Sequence, residues 1–275
     1  WLLAAYGWKA GLVLIVLVVA LSKAGRFLAF KVPAFQRMRE LNRAEDKLRL
    51  AKEKYPAMIK RSMRAGMWTN VAFFFVMAPF VLTFEVASLW RALFDIVLIL
   101  MVYDFFYYLT HRFLFHAATD SRFAVLRYFR RVHAVHHQAR DPSHIDAYYV
   151  HPVETTVGQL LFHLTVLCLG LALGDFNVVS VAIASVIYIQ LNTFNHVKFE
   201  LPGRSYKVLN WISYKHHVHH IDMQKGNYAT ITLLYDRLFG TLAVLEVVLL
   251  LAAPVLAQTN TLTGETITKT ATIEA

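Results

Sequence analysis

The sequence predicts an all-α fold: a polytopic integral membrane helical bundle with a histidine-rich cap on its cytoplasmic side. Three features predict it. Of 275 residues, 57% are apolar; the apolar residues fall into long runs separated by charged stretches; and most of the 13 histidines gather in three short clusters. A bilayer core about 30 Å thick needs roughly 20 apolar residues in a helix, so such runs read as spans rather than as the core of a water-soluble enzyme.

Residues 2–22 form the first candidate span, interrupted by Lys9, whose stem can snorkel to the interface. Residues 23–64 carry thirteen Lys or Arg against four acidic residues, which the positive-inside rule assigns to the cytoplasm. Residues 37–60 have helical character and fit an amphipathic helix on the membrane surface. The net charge of +10 comes mostly from this loop. Orientation and anionic headgroups account for it, and no nucleic-acid partner is implied.

Further spans are expected at 67–84, 92–109, 157–173 and 178–189. The links around 85–89 and 174–177 are too short to be domains, so each pair of spans is a hairpin returning to the cytoplasmic side. All three histidine clusters then emerge on that side. The run 242–256 contains Glu246 and reads as a span, an interfacial helix or a buried segment. The Thr-rich residues 258–275 read as disordered or non-native. Three parts are expected: residues 1–66, a membrane segment with its basic amphipathic region; 67–241, a catalytic domain; and 242–275, of unassigned role. Cys168, the single cysteine, rules out an internal disulfide and a cysteine metal site. The chain begins at Trp1, so a targeting segment ahead of it is not excluded.

The clusters are His111 with His116; His133, His136 and His137; and His216, His219 and His220, with His217 inside the last. Imidazole suits iron, zinc, copper and nickel. Offsets of three and four put each HxxHH on one helical face, where the rings can share one metal or bridge two. His217 sits about 100° from His216 and is the poorest candidate. His111 and His116, five apart, share a face only if the helix ends or bulges between them. Unpaired imidazoles packed together would be costly without a metal. A lone His163 in mid-span reads instead as a hydrogen-bonded core residue.

One zinc needs three or four ligands, so this many histidines imply two metals. No Glu-x-x-His pair of the ferritin-like di-iron kind and no His-Glu-x-x-His protease motif occurs.

The ordered boxes His111-Arg-Phe-Leu-Phe-His116, His133-x-x-His136-His137 and His216-x-x-His219-His220, with Asp104-Phe-Phe-Tyr-Tyr-Leu-Thr-His111-Arg112, His151-Pro-Val-Glu154, Asn227-Tyr-Ala229 and Leu234-Tyr-Asp236-Arg-Leu-Phe-Gly240-Thr241, resemble the membrane fatty acid hydroxylase and sterol desaturase superfamily of non-haem di-iron oxygenases. The resemblance covers roughly residues 71–241. It implies that the eight box histidines are catalytic metal ligands and that His196 supplies a further one. Asn192 would be a weak or water-mediated ligand. Asp104 and Asp222 would be candidate carboxylates that orient ligand rings, Asp104 equally a buried polar residue with a structural role, and His144 and His151 would lie in the outer shell or at the substrate entrance.

By the same resemblance the cofactors are two irons with O2 as co-substrate, and the product is an alcohol or an alkene. Zinc competes for imidazole in a purified sample. The substrate is a membrane lipid such as a sterol or fatty acyl chain. No cytochrome or flavin motif occurs, so the electrons come from a separate donor of the cytochrome b5, ferredoxin or reductase type. The membrane is a bacterial inner membrane or an endoplasmic reticulum membrane, with the site on the cytoplasmic side. Four residues separate the histidines of the first box, a spacing more like fatty acid 2-hydroxylases and carotenoid hydroxylases than most sterol desaturases. Two other classes compete with this reading: a histidine-rich metal transporter or sensor, and a zinc-dependent membrane hydrolase with Glu154 as its base.

Overall fold

The computed structural model describes residues 6–199 and 201–243; the apolar run 242–256, beyond its first two residues, and the Thr-rich end lie outside them. Helix α1 (Trp8–Ala29) leads into α2 (Pro33–Leu50) and α3 (Lys54–Ala72). Then come α4 (Leu89–Thr110), α5 (Ala124–Ala134), α6 (Pro152–Leu173), α7 (Val178–Phe194), α8 (Lys207–Ile221) and the short α9 (Leu234–Leu238). Three helical stretches are long and apolar enough to cross a membrane: Trp8–Ala29, Leu89–Phe115 and Pro152–Leu173. Only 11%, 33% and 28% of their most apolar windows are buried, so most of their apolar surface faces outward, as lipid-facing helices require. Val16, Val97 and Leu171 are among the side chains on that outer surface.

The expected span at 67–84 is not one helix. Past Ala72 the chain winds through a π turn, Phe73–Met77, and a 3-10 turn, Ala78–Phe80. Pro79 has no N–H to continue a helical ladder and ends it. The wider turn also meets α1, because Gly11 lies against the Phe74 carbonyl, where a Cβ would approach to 2.2 Å.

α4 starts on a Ser88 cap, whose side chain accepts from Arg91 N–H. α6 has Pro152 at its first position, a His151 cap accepting from Val153 N–H, and a stop at Gly174 with φ +96°. Between the two inner helices and α1 lie the fully buried Leu14, Phe73, Ile99, Tyr103, Phe162 and Val181.

The two hairpin links meet. Leu82 and Thr83 (β1) pair in parallel with Phe176 and Asn177 (β2). At 22 residues each, α4 and α6 hold this pair about 33 Å from the histidines at their far ends.

The basic segment is two helices rather than one, and it does more than lie on a surface. Asn42 accepts from Lys198 N–H at 3.0 Å and from His144 N–H at 3.2 Å. Asp46 accepts from Ser143 and Ile145, and Arg49 pairs with the fully buried Asp146 at 2.6 Å. α2 is thereby clamped to the cap. The division expected at residue 66 falls inside α3, which packs along α6 through Gly66; a Cβ there would come within 2.9 Å of Gln159 Nε2.

Gly11→Ala should push α1 off the Phe74 carbonyl and cost about 1–3 kcal/mol by overpacking. A lowered unfolding temperature in detergent is the expected result, and an unchanged one would contradict this seating.

Candidate metal centre

Each histidine is delivered by a different local device. α4 passes into a π turn, His111–Phe115, closed by His116 N–H donating to His111 O at 3.0 Å. This five-residue hydrogen bond is the bulge that residues five apart need in order to share a face. His133 ends α5, and a 3-10 turn, His136–Gln138, follows it. His196 comes just after α7, and His216, His219 and His220 occupy the last turns of α8.

These nine rings form two sets. One contains His111, His116, His133, His137 and His219; the other His136, His196, His216 and His220. Within each set one nitrogen per ring lies within 4.8 Å of the others. Both HxxHH motifs divide between the sets. The i, i+4 pairs, His133 with His137 and His216 with His220, stay together, while His136 and His219 cross to the other set. Each motif therefore bridges two centres.

The outer ring nitrogens fix the tautomers. Nδ1–H donates to a backbone carbonyl in His111 (Tyr228, 2.6 Å), His116 (Met223, 2.6 Å), His196 (Asn192, 2.9 Å), His219 (Gly226, 2.9 Å) and His220 (Ala139, 2.9 Å). His136 makes a longer contact with Tyr149 O, 3.4 Å. His133 Nδ1 meets Glu154 Oε1 at 2.7 Å. A carbonyl can only accept, so the hydrogen sits on Nδ1 and Nε2 carries a lone pair. Those lone pairs converge.

Nε2 atoms lie 3.0 Å apart between His133 and each of His111, His116 and His137. In the other set the separations are 2.8 Å for His136 and His196, 3.0 Å for His196 and His216, and 3.1 Å for His216 and His220. His219 Nε2 is buried without any hydrogen-bond partner. Metal–imidazole bonds of about 2.0–2.1 Å at right angles put neighbouring nitrogens about 2.9 Å apart, against about 3.3 Å in a tetrahedron. The donor sets thus fit one metal each, five histidines at one site and four at the other.

Burial pushes His116 down to about 2 and both His136 and His219 to about 4, with neighbouring histidines adding to the effect at His116 and His136. His133, His137, His216 and His220 are held well below the usual imidazole range, mainly by burial. All stay neutral at pH 7, the state a metal needs.

The expected outer residues fare differently. Asn192 supports His196 through its backbone carbonyl, while its side chain donates to Tyr188 O and accepts from Thr230. His151 caps α6, and the half-exposed His144 faces Asp46 at 3.5 Å. Asp104 touches no ring. It accepts from the N–H groups of Thr230, Ile231 and Thr232 and from the Thr232 hydroxyl, holding the loop whose Tyr228 carbonyl orients His111. Asp222 likewise accepts from Gln224 N–H and orients no ring. His217 lies outside both sets, 3.7 Å from Asp141. Glu154 takes the ring-orienting role; a buried carboxylate one turn into an apolar span was the available signal.

A 420 Å³ cavity touches the centre from the helix side, lined by His136, His196, Glu154, Tyr107, Asn192 and Met63 among others. A separate 560 Å³ opening reaches His137 and His220, with Lys54, Arg140 and Asp222 in its walls.

The fatty acid hydroxylase family profile matches residues 96–241, just over half of the chain. The chain belongs to the fatty acid hydroxylase family. Methylsterol monooxygenase 1 of Rattus norvegicus is 28% identical over 148 residues, 51% of this chain and 44% of that protein. Two provisionally named methylsterol monooxygenases of Dictyostelium discoideum are each 25% identical, over 154 and 146 residues, 54% and 51% of this chain and 50% and 48% of theirs. The chain spans about half the length of these curated relatives, and no solved structure matches it. The spacing of the first box resembled other subfamilies, whereas these relatives carry sterol names.

Two outcomes follow from the ligand shell. Glu154→Leu should lower metal affinity about 10–100-fold by freeing the His133 ring, read by chelator competition; unchanged affinity would remove Glu154 from that role. In acid, the unfolded chain takes up protons near pH 6.5, while His136 and His219 resist until about 4. Folding stability should therefore fall as pH drops from about 6.5 toward 4, with metal released over the same window. Metal fully retained at pH 4 would contradict this.

Proposed function

We propose that this chain is a membrane-bound di-iron oxygenase that hydroxylates an unactivated C–H bond of a lipid, with sterols the leading class. One observation carries the reading: two adjoining sets of buried, unprotonated imidazole nitrogens stand at the end of a cavity between apolar helices. The relatives' names favour oxygen insertion over desaturation and a sterol over a simple acyl chain.

Bound at the two histidine sets, iron would supply O2 activation with two electrons from a separate donor. The remaining work belongs to the protein. His111, His116, His133, His137 and His219 would hold one iron, and His136, His196, His216 and His220 the other. Glu154 and the backbone carbonyls lock each ring so that Nε2 faces inward, and the Glu154 carboxylate strengthens His133 as a donor. Tyr103, Tyr107 and Tyr188 line the cavity and keep water from the lipid carbon presented at His136 and His196.

The opening at His137 and His220, with Lys54 and Arg140 in its walls, is the polar approach for the donor. The basic α2 is clamped to the cap through Asn42, Asp46 and Arg49. Both therefore share one membrane face, cytoplasmic by the positive-inside rule, in a bacterial inner membrane or an endoplasmic reticulum membrane. A hydrolytic reading would need Glu154 free as a base, and His133 engages it.

Protein purified anaerobically from iron-supplemented cells should hold about two metals per chain, both iron. His136→Ala and His137→Ala should each remove mainly one of them, and both should abolish oxygen-dependent product formation from a methylsterol. A single metal indifferent to both substitutions would end the di-iron reading.

A further inference from the structure

The cavity beside His136 and His196 does not stop at the metal layer. A second chamber of 200 Å³ lies deeper among the spans, walled by Ile15 and Val18 of α1, Phe73 and Phe74 of the π turn, and Phe162. It shares Asn70, Gln159, Tyr188 and Ile189 with the larger cavity.

Two polar groups in its walls carry a buried atom with no partner. His163 is 4% exposed, lines the inner chamber, and stacks flat on Phe73 at 4.1 Å with an interplanar angle of 1°. Its Nδ1 is buried and makes no hydrogen bond. Gln159 lines both chambers, and its Oε1 is buried and equally unpartnered. Removing such atoms from water without a partner is costly, and an ionisable residue within a span marks a functional site by default. The expectation that His163 is a hydrogen-bonded core residue fails, since its Nδ1 bonds to nothing in the protein.

Thr155, Gln159 and His163 follow one another at intervals of four along α6, so they form one stripe on a single helical face. The stripe leads from the metal layer, marked by Glu154, into the inner chamber. Nine residues at about 1.5 Å each separate Glu154 from His163, roughly 13 Å.

We propose that the inner chamber binds the polar end of the lipid substrate, a hydroxyl or carbonyl group held by Gln159 and His163. The lipid's apolar body then runs past Tyr188 and Ile189, and the carbon presented to the metals lies roughly 13 Å from its polar anchor. A hydroxyl serves both orphans at once, donating to Gln159 Oε1 and accepting from His163 Nδ1–H. Substrate choice and the position oxidised are thereby set by one anchor inside the membrane. The direction of the lipid rests on the oxygenase reading; binding itself does not.

The test uses the purified, metal-replete protein in detergent, without reductant and without oxygen, so that nothing turns over. Retention of cholestanol against cholestane, and of hexadecanol against hexadecane, is quantified by mass spectrometry alongside metal content per chain. The alcohol of at least one pair should be retained about tenfold more than its hydrocarbon, as one buried hydrogen bond predicts. Gln159→Leu and His163→Phe should each bring the alcohol close to the hydrocarbon level with metal content unchanged. Val18→Trp, which fills the chamber, should reduce retention of both members of the pair. Equal retention of alcohol and hydrocarbon by the unsubstituted protein would overturn the anchor, as would variants that keep the preference. A low metal count in the unsubstituted protein would instead count against the di-iron reading alone, so the two failures are separable.

Discussion

Much of this structure answers one electrostatic constraint: nine imidazole rings gather in two sets, and seven of them have Nδ1 engaged from outside so that Nε2 faces the others. Lone pairs about 3 Å apart repel, and protonation to relieve that repulsion is prevented by burial. Cations placed between them would reconcile the arrangement. The fold meets the constraint from outside the cluster, by giving six of the nine Nδ1–H groups a backbone carbonyl and the His133 ring a carboxylate. Those acceptors come from α6, α7 and three separate loops, so the chain has to close around the histidines before their rings are oriented.

That closure explains the buried acids that touch no ring. Asp104 accepts four hydrogen bonds from Thr230 to Thr232, and Asp236 accepts from Tyr228 and Ala229. Between them they hold the loop that supplies the carbonyls of Gly226 and Tyr228. The same loop needs Gly226, whose Cβ would lie 1.6 Å from Thr241 O, and tolerates Asn227 at φ 65°, a left-handed conformation that asparagine adopts more readily than most residues. The carboxylates near the centre thus divide by task, with Glu154 acting on a ring and the two aspartates acting on the backbone that reaches other rings.

Legibility in the sequence followed the range of each interaction. The HxxHH spacings are local helix geometry, so the grouping of eight histidines could be read directly, and the five-residue offset in the first box called for a helix end or a bulge, of which the bulge is found at His111–Phe115. His196 was reachable only through a family resemblance, because nothing in its own surroundings repeats. The splitting of each motif between two sets was left open, since one helical face can serve one metal or two until neighbouring helices are in place. Backbone acceptors such as Met223 and Ala139 leave no mark in side-chain chemistry. Asp222 read as a ring orienter, and Asp104 as either that or a structural polar residue; the structure gives Asp104 the structural role, and both accept from backbone amides that the sequence cannot locate. The break at Pro79 and the clamping of α2 onto the cap likewise depend on contacts between distant segments, Gly11 with Phe74 and Arg49 with Asp146.

The two histidine sets are not equivalent in what they face. His136 and His196, of the four-membered set, line the cavity between the apolar helices. His137 from the other set and His220 line the second, polar opening with Lys54 and Arg140. The histidine sets can therefore be reached through two separate openings that share no lining residue, one apolar and one polar. The HxxHH motifs keep the two sets side by side. Because the crossing residues His136 and His219 lie within one turn of their i, i+4 partners, each motif ties both sets to one short piece of backbone. The two sets remain adjacent, the four-membered one lining both openings and the five-membered one reaching the polar opening through His137.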